Sequence, residues 1–420
     1  MNILLLTIGS RGDIEPFIAL GVSIQAQGHQ VYVCTHERFQ SIVEKHGLNY
    51  QYLSNELFKL MEGGSVESMG SLFKGIKTAI RLMKLAKPIN EQLMVDSIKA
   101  GIEVEPKLVI YHPKCIVAPS IAEKFNVPAV MALLQPMLVK TSDFPLIGLP
   151  NISGITNRLS YRLASLGFKP YLKQLNLLRN SFLNLPKLSD KADVLSMNTG
   201  KAIPVLHAFS KHIVTRPQDW PQSTAITGYW FLQKQNDYSP EKTITDFMAD
   251  GKPPIYIGFG SMSGKDPVKT ARLVIDAVIK AKVRAIIVTG WGGLKLDDVP
   301  SQVLVTDAVP HDWLFPQVAA VVHHGGAGTT AAGLKAGKPT LICPFFADQP
   351  FWGEKIAALG LGPTPIKQKN LTVDNLAEGI LQMVTDQQMQ QRAQQVAELL
   401  SQEDGIENAI KWLKKQGVLI

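Results

Sequence analysis

The segment Val321-Val322-His323-His324-Gly325-Gly326-Ala327-Gly328-Thr329-Thr330 has residue types and spacing that suit a chemical task. It reads as a buried strand that turns tightly through glycines into a helix, with two histidines at the lip. The first amides of such a helix lack an intrahelical acceptor, and the helix dipole makes that end positive. Together they form a site for an anion, a diphosphate above all. Nineteen residues past Thr329, after a second apolar strand at 340–343, come Asp348 and Gln349. An acid and an amide beside a phosphate site suit the hydroxyls of a sugar, so the pattern points to nucleotide-sugar chemistry. A second reactive group is Asp13, in Gly9-Ser10-Arg11-Gly12-Asp13 after the apolar run 2–8. A carboxylate held at a strand end by glycine turns can take the proton of a hydroxyl brought within ~3 Å. The same residue equally fits a helix N-cap at a turn. Arg11 suits a phosphate or an acidic partner, and a salt bridge accounts for it equally well.

The elements around these groups alternate. Residues 2–8 predict a strand buried on both faces, 16–27 a helix closed by Gly28, and 30–35 the next strand, a unit of the doubly wound α/β type. Further strands are predicted at 108–112, 129–133 and 194–198, a helix at 118–125, and another helix from Val205 to Ser210. The second half repeats the logic, with strands at 254–259, 285–289, 303–306, 320–323 and 339–343. Its helices are predicted at 267–280 and 387–400, with a basic one at 406–415. The span from Trp220 to Pro254 is rich in Pro, Gly, Gln and Asp and holds the domain boundary. Two regions break the alternation. Residues 65–104 carry a basic amphipathic pattern that suits a membrane surface or plain solvent. Residues 136–187, crowded with Leu, Phe, Tyr and Pro, are long for a connection. They fit an apolar acceptor cleft or the packing of extra helices.

At 420 residues, 45% of them hydrophobic, the chain suits two domains of roughly 200 residues each. A net charge of +8 favours phosphate-bearing ligands or an anionic membrane surface. It does not indicate nucleic acid, because no Lys/Arg block is interleaved with aromatics. Cys34, Cys115 and Cys343 each lie in or beside an apolar run and read as small buried hydrophobes, with neither disulfide nor metal spacing. The apolar start at Met1–Leu6 reads as a first strand rather than a signal peptide, and no run reaches the ~20 apolar residues of a membrane span. The expected location is cytoplasmic, with peripheral membrane contact open.

The stretch Thr7-Ile8-Gly9-Ser10-Arg11-Gly12-Asp13-Ile14-Glu15-Pro16 resembles the opening of sterol and macrolide or antibiotic glycosyltransferases, within the family of inverting UDP-sugar-dependent enzymes. Residues 323–333, Pro339, 344–353 and 359–363 resemble that family's donor signature, and Gly228-Tyr229-Trp230 resembles the segment before its linker. The similarity runs over nearly the whole chain and is dense from 308 to 363, best matching the sterol-glucosyltransferase branch. It implies an α/β, GT-B architecture: two Rossmann-like domains facing each other across a deep cleft. Residues 1–232 would bind the acceptor and 233–400, linker included, the UDP-sugar, with a final helix in 401–420 packing back on the first domain. The implied activity is inverting transfer of a hexose, glucose by resemblance, from UDP-glucose to a hydroxyl of a bulky apolar acceptor (sterol, terpenoid, lipid or polyketide).

The resemblance also assigns roles. His323 would contact the donor phosphates, above the turn and helix start of Gly325, Gly326, Ala327, Gly328 and Thr329. Asp348 and Gln349 would bond the hexose hydroxyls, Ser261 would lie near the phosphates, and the Val309 backbone would meet the uracil. Ser10, Arg11 and Gly12 are further candidates for donor contacts. Ala308 stands where plant relatives stack a tryptophan on the base, which loosens the expectation of uridine over thymidine. Asp13 stands where plant members have a histidine base. Their supporting aspartate aligns near Tyr111-His112, so His112 either assists Asp13 or is a strand-end histidine with local hydrogen bonds. No metal is expected, since no Asp-x-Asp pair sits at a strand end and the helix end does a cation's work; Asp297-Asp298 reads as a solvated loop. Two alternatives are a UDP-sugar epimerase of similar architecture and a nucleotide-sugar-binding protein without turnover.

Overall fold

A computed structural model describes residues 1–60, 76–190, 192–233, 238–259, 267–288 and 299–420. The chain divides into two compact units, residues 1–233 with 404–420, and residues 234–403.

The first unit runs β1 (Asn2–Leu6), α1 (Arg11–Gln25), β2 (Gln30–His36), α2 (Gln40–Lys45), β3 (Asn49–Leu53), α3 (Glu56–Leu60) and α4 (Ile76–Val104). It continues with β4 (Leu108–Tyr111), α5 (Ala118–Phe125), β5 (Ala129–Leu133), α6 (Gly154–Ser160), α7 (Arg162–Leu183), β6 (Val205–His207) and β7 (Thr224–Ile226). Its seven strands pair in parallel in the order β3-β2-β1-β4-β5-β6-β7. Parallel strands covered on both faces need continuous apolar runs, and Ile3-Leu4-Leu5-Leu6 and Leu108-Val109-Ile110 are fully buried. The strand order reverses between β1 and β4. Such a switch point opens a crevice beyond the carboxyl ends of the two strands, which is where Gly9–Asp13 and His112–Lys114 stand.

The second unit runs α8 (Lys242–Ala249), β8 (Ile255–Gly258), α9 (Pro267–Ala281), β9 (Ala285–Val288), β10 (Val303–Thr306), α10 (His311–Leu314) and β11 (Val321–His323). After these come α11 (Ala327–Lys335), β12 (Thr340–Ile342), α12 (Gln349–Ala358), α13 (Val373–Thr385) and α14 (Gln387–Ser401). The parallel order is β10-β9-β8-β11-β12, so the switch lies between β8 and β11, and the glycine turn 324–326 leaves from it. The last helix, α15 (Gly405–Lys415), belongs to the first unit. Its Ala409, Ile410 and Leu413 join the core around Ile3 and Phe17. Gly405 rests on the Gly228–Tyr229 backbone, where a Cβ would overlap the Tyr229 carbonyl.

Three expectations are corrected. Residues 205–210 do not form a helix: Val205–His207 is β6, bonded between β5 and β7. Short apolar runs carry no decisive period, and the open edge of β5 settles the matter. Residues 194–198 are not a strand but a turn region with one isolated bridge, Ser196 to Ala202. There Asp193 accepts the Leu195 amide and Gly200 takes a φ of +80°. Helix α1 begins at Arg11, not Pro16, so Asp13 lies inside its first turn rather than in a glycine turn. Ser10 is the N-cap, and an N-cap serine with an acid three residues on starts a helix more strongly than Pro16 delays one.

Candidate active site

In the first unit the chemistry gathers on Asp13. The Ser10 amide and hydroxyl donate to its Oδ2 at 2.8 and 3.1 Å. On the other side Oδ1 lies 3.4 Å from Lys114 Nζ and 3.5 Å from His112 Nε2. Gly9, with φ +141°, makes this approach possible, because a Cβ there would collide with the carboxylate. Burial would raise the Asp13 carboxyl, but Lys114, His112 and the Ser10 donors outweigh it and hold the group below its ordinary value of 3.8. His112 is fully enclosed, and burial, followed by the Lys114 charge, pushes its pKa down to about 3 despite Asp13. Its Nδ1 accepts the Lys114 amide at 3.3 Å, which assigns the proton of the neutral ring to Nε2, facing the carboxylate. At 3.5 Å that contact is electrostatic rather than a formed hydrogen bond. Arg11 is an exposed i,i+4 partner of Glu15 at 2.6 Å, and Gly12 has only the Ser10 hydroxyl within 4 Å of a would-be Cβ.

His112 and Lys114 line a cavity of about 500 Å³ that lies within the first unit. That volume falls in the range of about 300–1,000 Å³ usual for small-molecule sites. Its walls are mostly apolar, with Met131, Met137 and Leu138 among them and Phe168, Tyr171 and Leu175 contributed by α7. One end is polar. Arg179, fully buried, donates to both Glu123 oxygens at 2.9 and 3.0 Å, to Ser120 Oγ at 2.9 Å and to the Pro186 carbonyl at 2.9 Å.

In the second unit the glycine turn joins β11 to α11. Gly325 has φ +96°, and a Cβ there would stand 2.6 Å from Ile342 Cγ2 and 3.0 Å from the Gln349 carbonyl, so only glycine fits. The Gly325 amide donates to His323 Nδ1 at 2.9 Å, leaving the ring proton on Nε2. His323 is not at the lip: as the last residue of β11 it is fully buried, and only His324 reaches the half-buried zone. Burial first, then His324 and His311, keep His323 neutral, with a pKa well below its ordinary 6.5. Gly326 caps α11, and Gly328 in the first turn is exposed. By helix geometry the amides of Ala327, Gly328 and Thr329 have no acceptor within the helix.

Asp348 and Gln349 both have structural duties. Asp348 Oδ2 accepts the Trp352 indole N–H at 2.9 Å, and Gln349 Oε1 accepts the Phe345 and Phe346 amides at 2.8 and 3.3 Å. The preceding Ala347 holds φ +59°, a conformation that costs a non-glycine residue ~1 kcal/mol or more and tends to be kept at functional loops. Val309 is buried against Tyr256 and Phe315. Ser261 and Asp297-Asp298 lie outside the described residues, as do Leu72, Phe73 and Lys74 of the basic pattern.

Lys114 and the Arg179–Glu123 pair were not anticipated. Lys114 could have been found by placing β4 beside β1, since it follows the end of β4 by three residues. The partner of Arg179 is 56 residues away, and no local pattern reveals it. All three cysteines are free and buried.

Both units thus put loops rich in polar side chains at the switch points of parallel sheets, where open α/β folds bind their ligands. The glycosyltransferase family 28 N-terminal domain matches residues 3–141, and the C-terminal domain of the erythromycin biosynthesis protein CIII-like family matches residues 272–410. Sterol 3-beta-glucosyltransferase UGT80B1 of Arabidopsis thaliana is 34% identical over 98% of this chain and 67% of its own length. The UGT80A2 protein of the same plant is 35% identical over 98% of this chain and 65% of its own. The sterol 3-beta-glucosyltransferase of Pichia angusta is 34% identical over 97% and 33%. The chain therefore spans about two thirds of its plant relatives and a third of the yeast one. Among solved structures, the glycotransferase of kitacinnamycin superposes with a TM-score of 0.70 at 15% identity, covering 99% of this chain and 98% of that one. Glycosyltransferase VinC, solved in complex with dTDP, superposes at 0.69 and 17%, covering 99% of each. The chain belongs to the glycosyltransferase family of the sterol 3-beta-glucosyltransferases and has the GT-B fold.

Proposed function

We propose that this protein transfers a hexose, glucose, from UDP-glucose to a hydroxyl of a bulky apolar acceptor such as a sterol, with inversion at the anomeric carbon. The observation that carries this reading is the carboxylate of Asp13, within 3.5 Å of two residues that line an apolar cavity. The acceptor oxygen attacks the anomeric carbon as its proton passes to Asp13, and the bond from that carbon to the diphosphate breaks with its electron pair leaving on UDP. A carboxylate of low basicity suffices, since the hydroxyl turns acidic as the new C–O bond forms. His112, neutral with Nε2–H toward Asp13, keeps the carboxylate oriented.

Residues 1–232 would bind the acceptor and 233–400 the donor. Charge developing on the diphosphate would be met by the amides of Ala327, Gly328 and Thr329 beyond the Gly325–Gly326 turn, by His323 Nε2–H and by Ser261. An unpaired buried donor such as that Nε2–H costs ~1–3 kcal/mol, which an anionic oxygen would relieve. Val309 would meet the base, Asp348 and Gln349 the hexose, and Ser10, Arg11 and Gly12 are further candidates for donor contacts. Small-molecule substrates without a metal, and a cytoplasmic enzyme touching membranes peripherally, complete the reading. Acceptor-dependent UDP release tests it, with product masses read across sterols, triterpenoids and flavonoids and several UDP-sugars. Conversion of the donor without acceptor would instead indicate an epimerase, and tight donor binding without turnover a binding protein.

A further inference from the structure

Ile152, Ile155, Leu159, Leu163 and Leu166 follow one another at intervals of three or four residues along α6, its lead-in and α7, and their exposures run from 46% to 77%. Leu177, further along α7, is 55% exposed. A contiguous apolar stripe of this kind marks an interaction surface on a folded protein. Its charge setting is one-sided. From Phe144 to Ser189 the chain contains no Asp or Glu but six Lys and Arg. Of these, Arg179 is buried against Glu123 and Arg158 pairs with Asp219 at 2.9 Å. Arg162, Lys169 and Lys173 are exposed on α7. At ~100° per residue, Leu163, Leu166 and Leu177 share the outer face of α7 with these three cations along one border. Phe168, Leu172 and Leu175 occupy the opposite, buried face.

We propose that the outer face of α6 and α7 docks on an anionic lipid bilayer. The isoleucines and leucines enter the boundary between headgroups and acyl chains, while the Arg and Lys heads reach lipid phosphates by snorkelling. A second copy of this chain is a poor occupant, since two such faces would bring like charges together. Continuity with the cavity supports the same partner: Gly167, Phe168 and Tyr171 of this helix line the cavity with their inner face. A membrane-dissolved acceptor would then meet the protein along the helix that walls its site. That last step rests on the transferase reading; the docking itself does not.

The test is flotation of the full chain with vesicles of phosphatidylcholine alone and of phosphatidylcholine mixed with phosphatidylglycerol. Binding is expected to the mixed vesicles, weakening as salt rises. Leu163→Ser with Leu166→Ser lowers the partition constant by at least about tenfold, the equivalent of half-burying two leucines. Lys169→Gln and Lys173→Gln each lower it by about fivefold. These surface variants keep the wild-type circular dichroism and the wild-type rate on a detergent-dispersed acceptor. The proposal is overturned if the wild type ignores phosphatidylglycerol vesicles or if the serine variant binds them as well as wild type. It is equally overturned if light scattering finds a dimer that the serine variant dissociates. Failure of the transferase reading would leave vesicle binding intact, so the two are separable.

Discussion

Asp13→Asn is the substitution that bears hardest on the proposed chemistry. It preserves shape and removes only the charge and the ability to accept a proton. A positioned general base contributes about 10²–10⁴ in rate, equivalent to ~3–5 kcal/mol of barrier. The Asp13 oxygens face the Ser10 amide and hydroxyl, Lys114 Nζ and His112 Nε2. Only the serine hydroxyl can turn to accept a hydrogen bond from the new amide, so a stability loss of ~1–2 kcal/mol accompanies the rate loss. The two effects separate experimentally. Thermal unfolding reads the first, and steady-state kinetics well below the melting point reads the second. The expectation is a kcat lowered by two to four orders of magnitude with KM nearly unchanged. A folded Asp13→Asn protein retaining more than a tenth of wild-type kcat would refute the assignment of the base.

The pH dependence has a definite sign. Because the folded Asp13 pKa is lowered below 3.8, its stabilising contribution is present above the unfolded value and is lost as pH falls through the folded one. The acid limb of kcat/KM should therefore lie below about pH 4, and a limb near pH 6–7 would mean that a histidine, not Asp13, takes the proton. Lys114→Met should raise the Asp13 pKa and move that limb upward, as read by the same profile. Gly325→Ala, facing the 2.6 Å approach to Ile342 and a φ of +96°, should cost about 1–3 kcal/mol and abolish UDP binding by calorimetry. Wild-type UDP affinity in that variant would remove the glycine turn from the donor site. Glu123→Ala leaves Arg179 buried and unpaired and should cost about 3–5 kcal/mol in urea unfolding; a loss under 1 kcal/mol would mean that the pair does not anchor α7.

What the sequence made legible follows from how local each signal is. The long apolar runs of β1, β4, β5 and β8 have one consistent reading as buried parallel strands, and α5 was bounded to the residue by its flanking strands. The glycine turn after β11 was legible because its amides and helix start are contiguous in the chain. Residues 205–210 read as a helix in isolation, since the three-residue strand at 205–207 shows no period and exists only because β5 and β7 flank it. The lip position of His323 failed for a related reason: whether a strand-end side chain points inward depends on pleat and register. Lys114 and Glu123 act through neighbours brought close by strand order or helix packing, which residue spacing does not encode.

The most direct measurement of the central claim is the anomeric configuration of the product. Incubation with UDP-[¹³C]glucose and a sterol, followed by NMR of the labelled anomeric centre, should show the β-glucoside formed from the α-linked donor. An α-linked product, or free glucose with the sterol unmodified, would contradict single displacement of the diphosphate by an acceptor hydroxyl activated at Asp13.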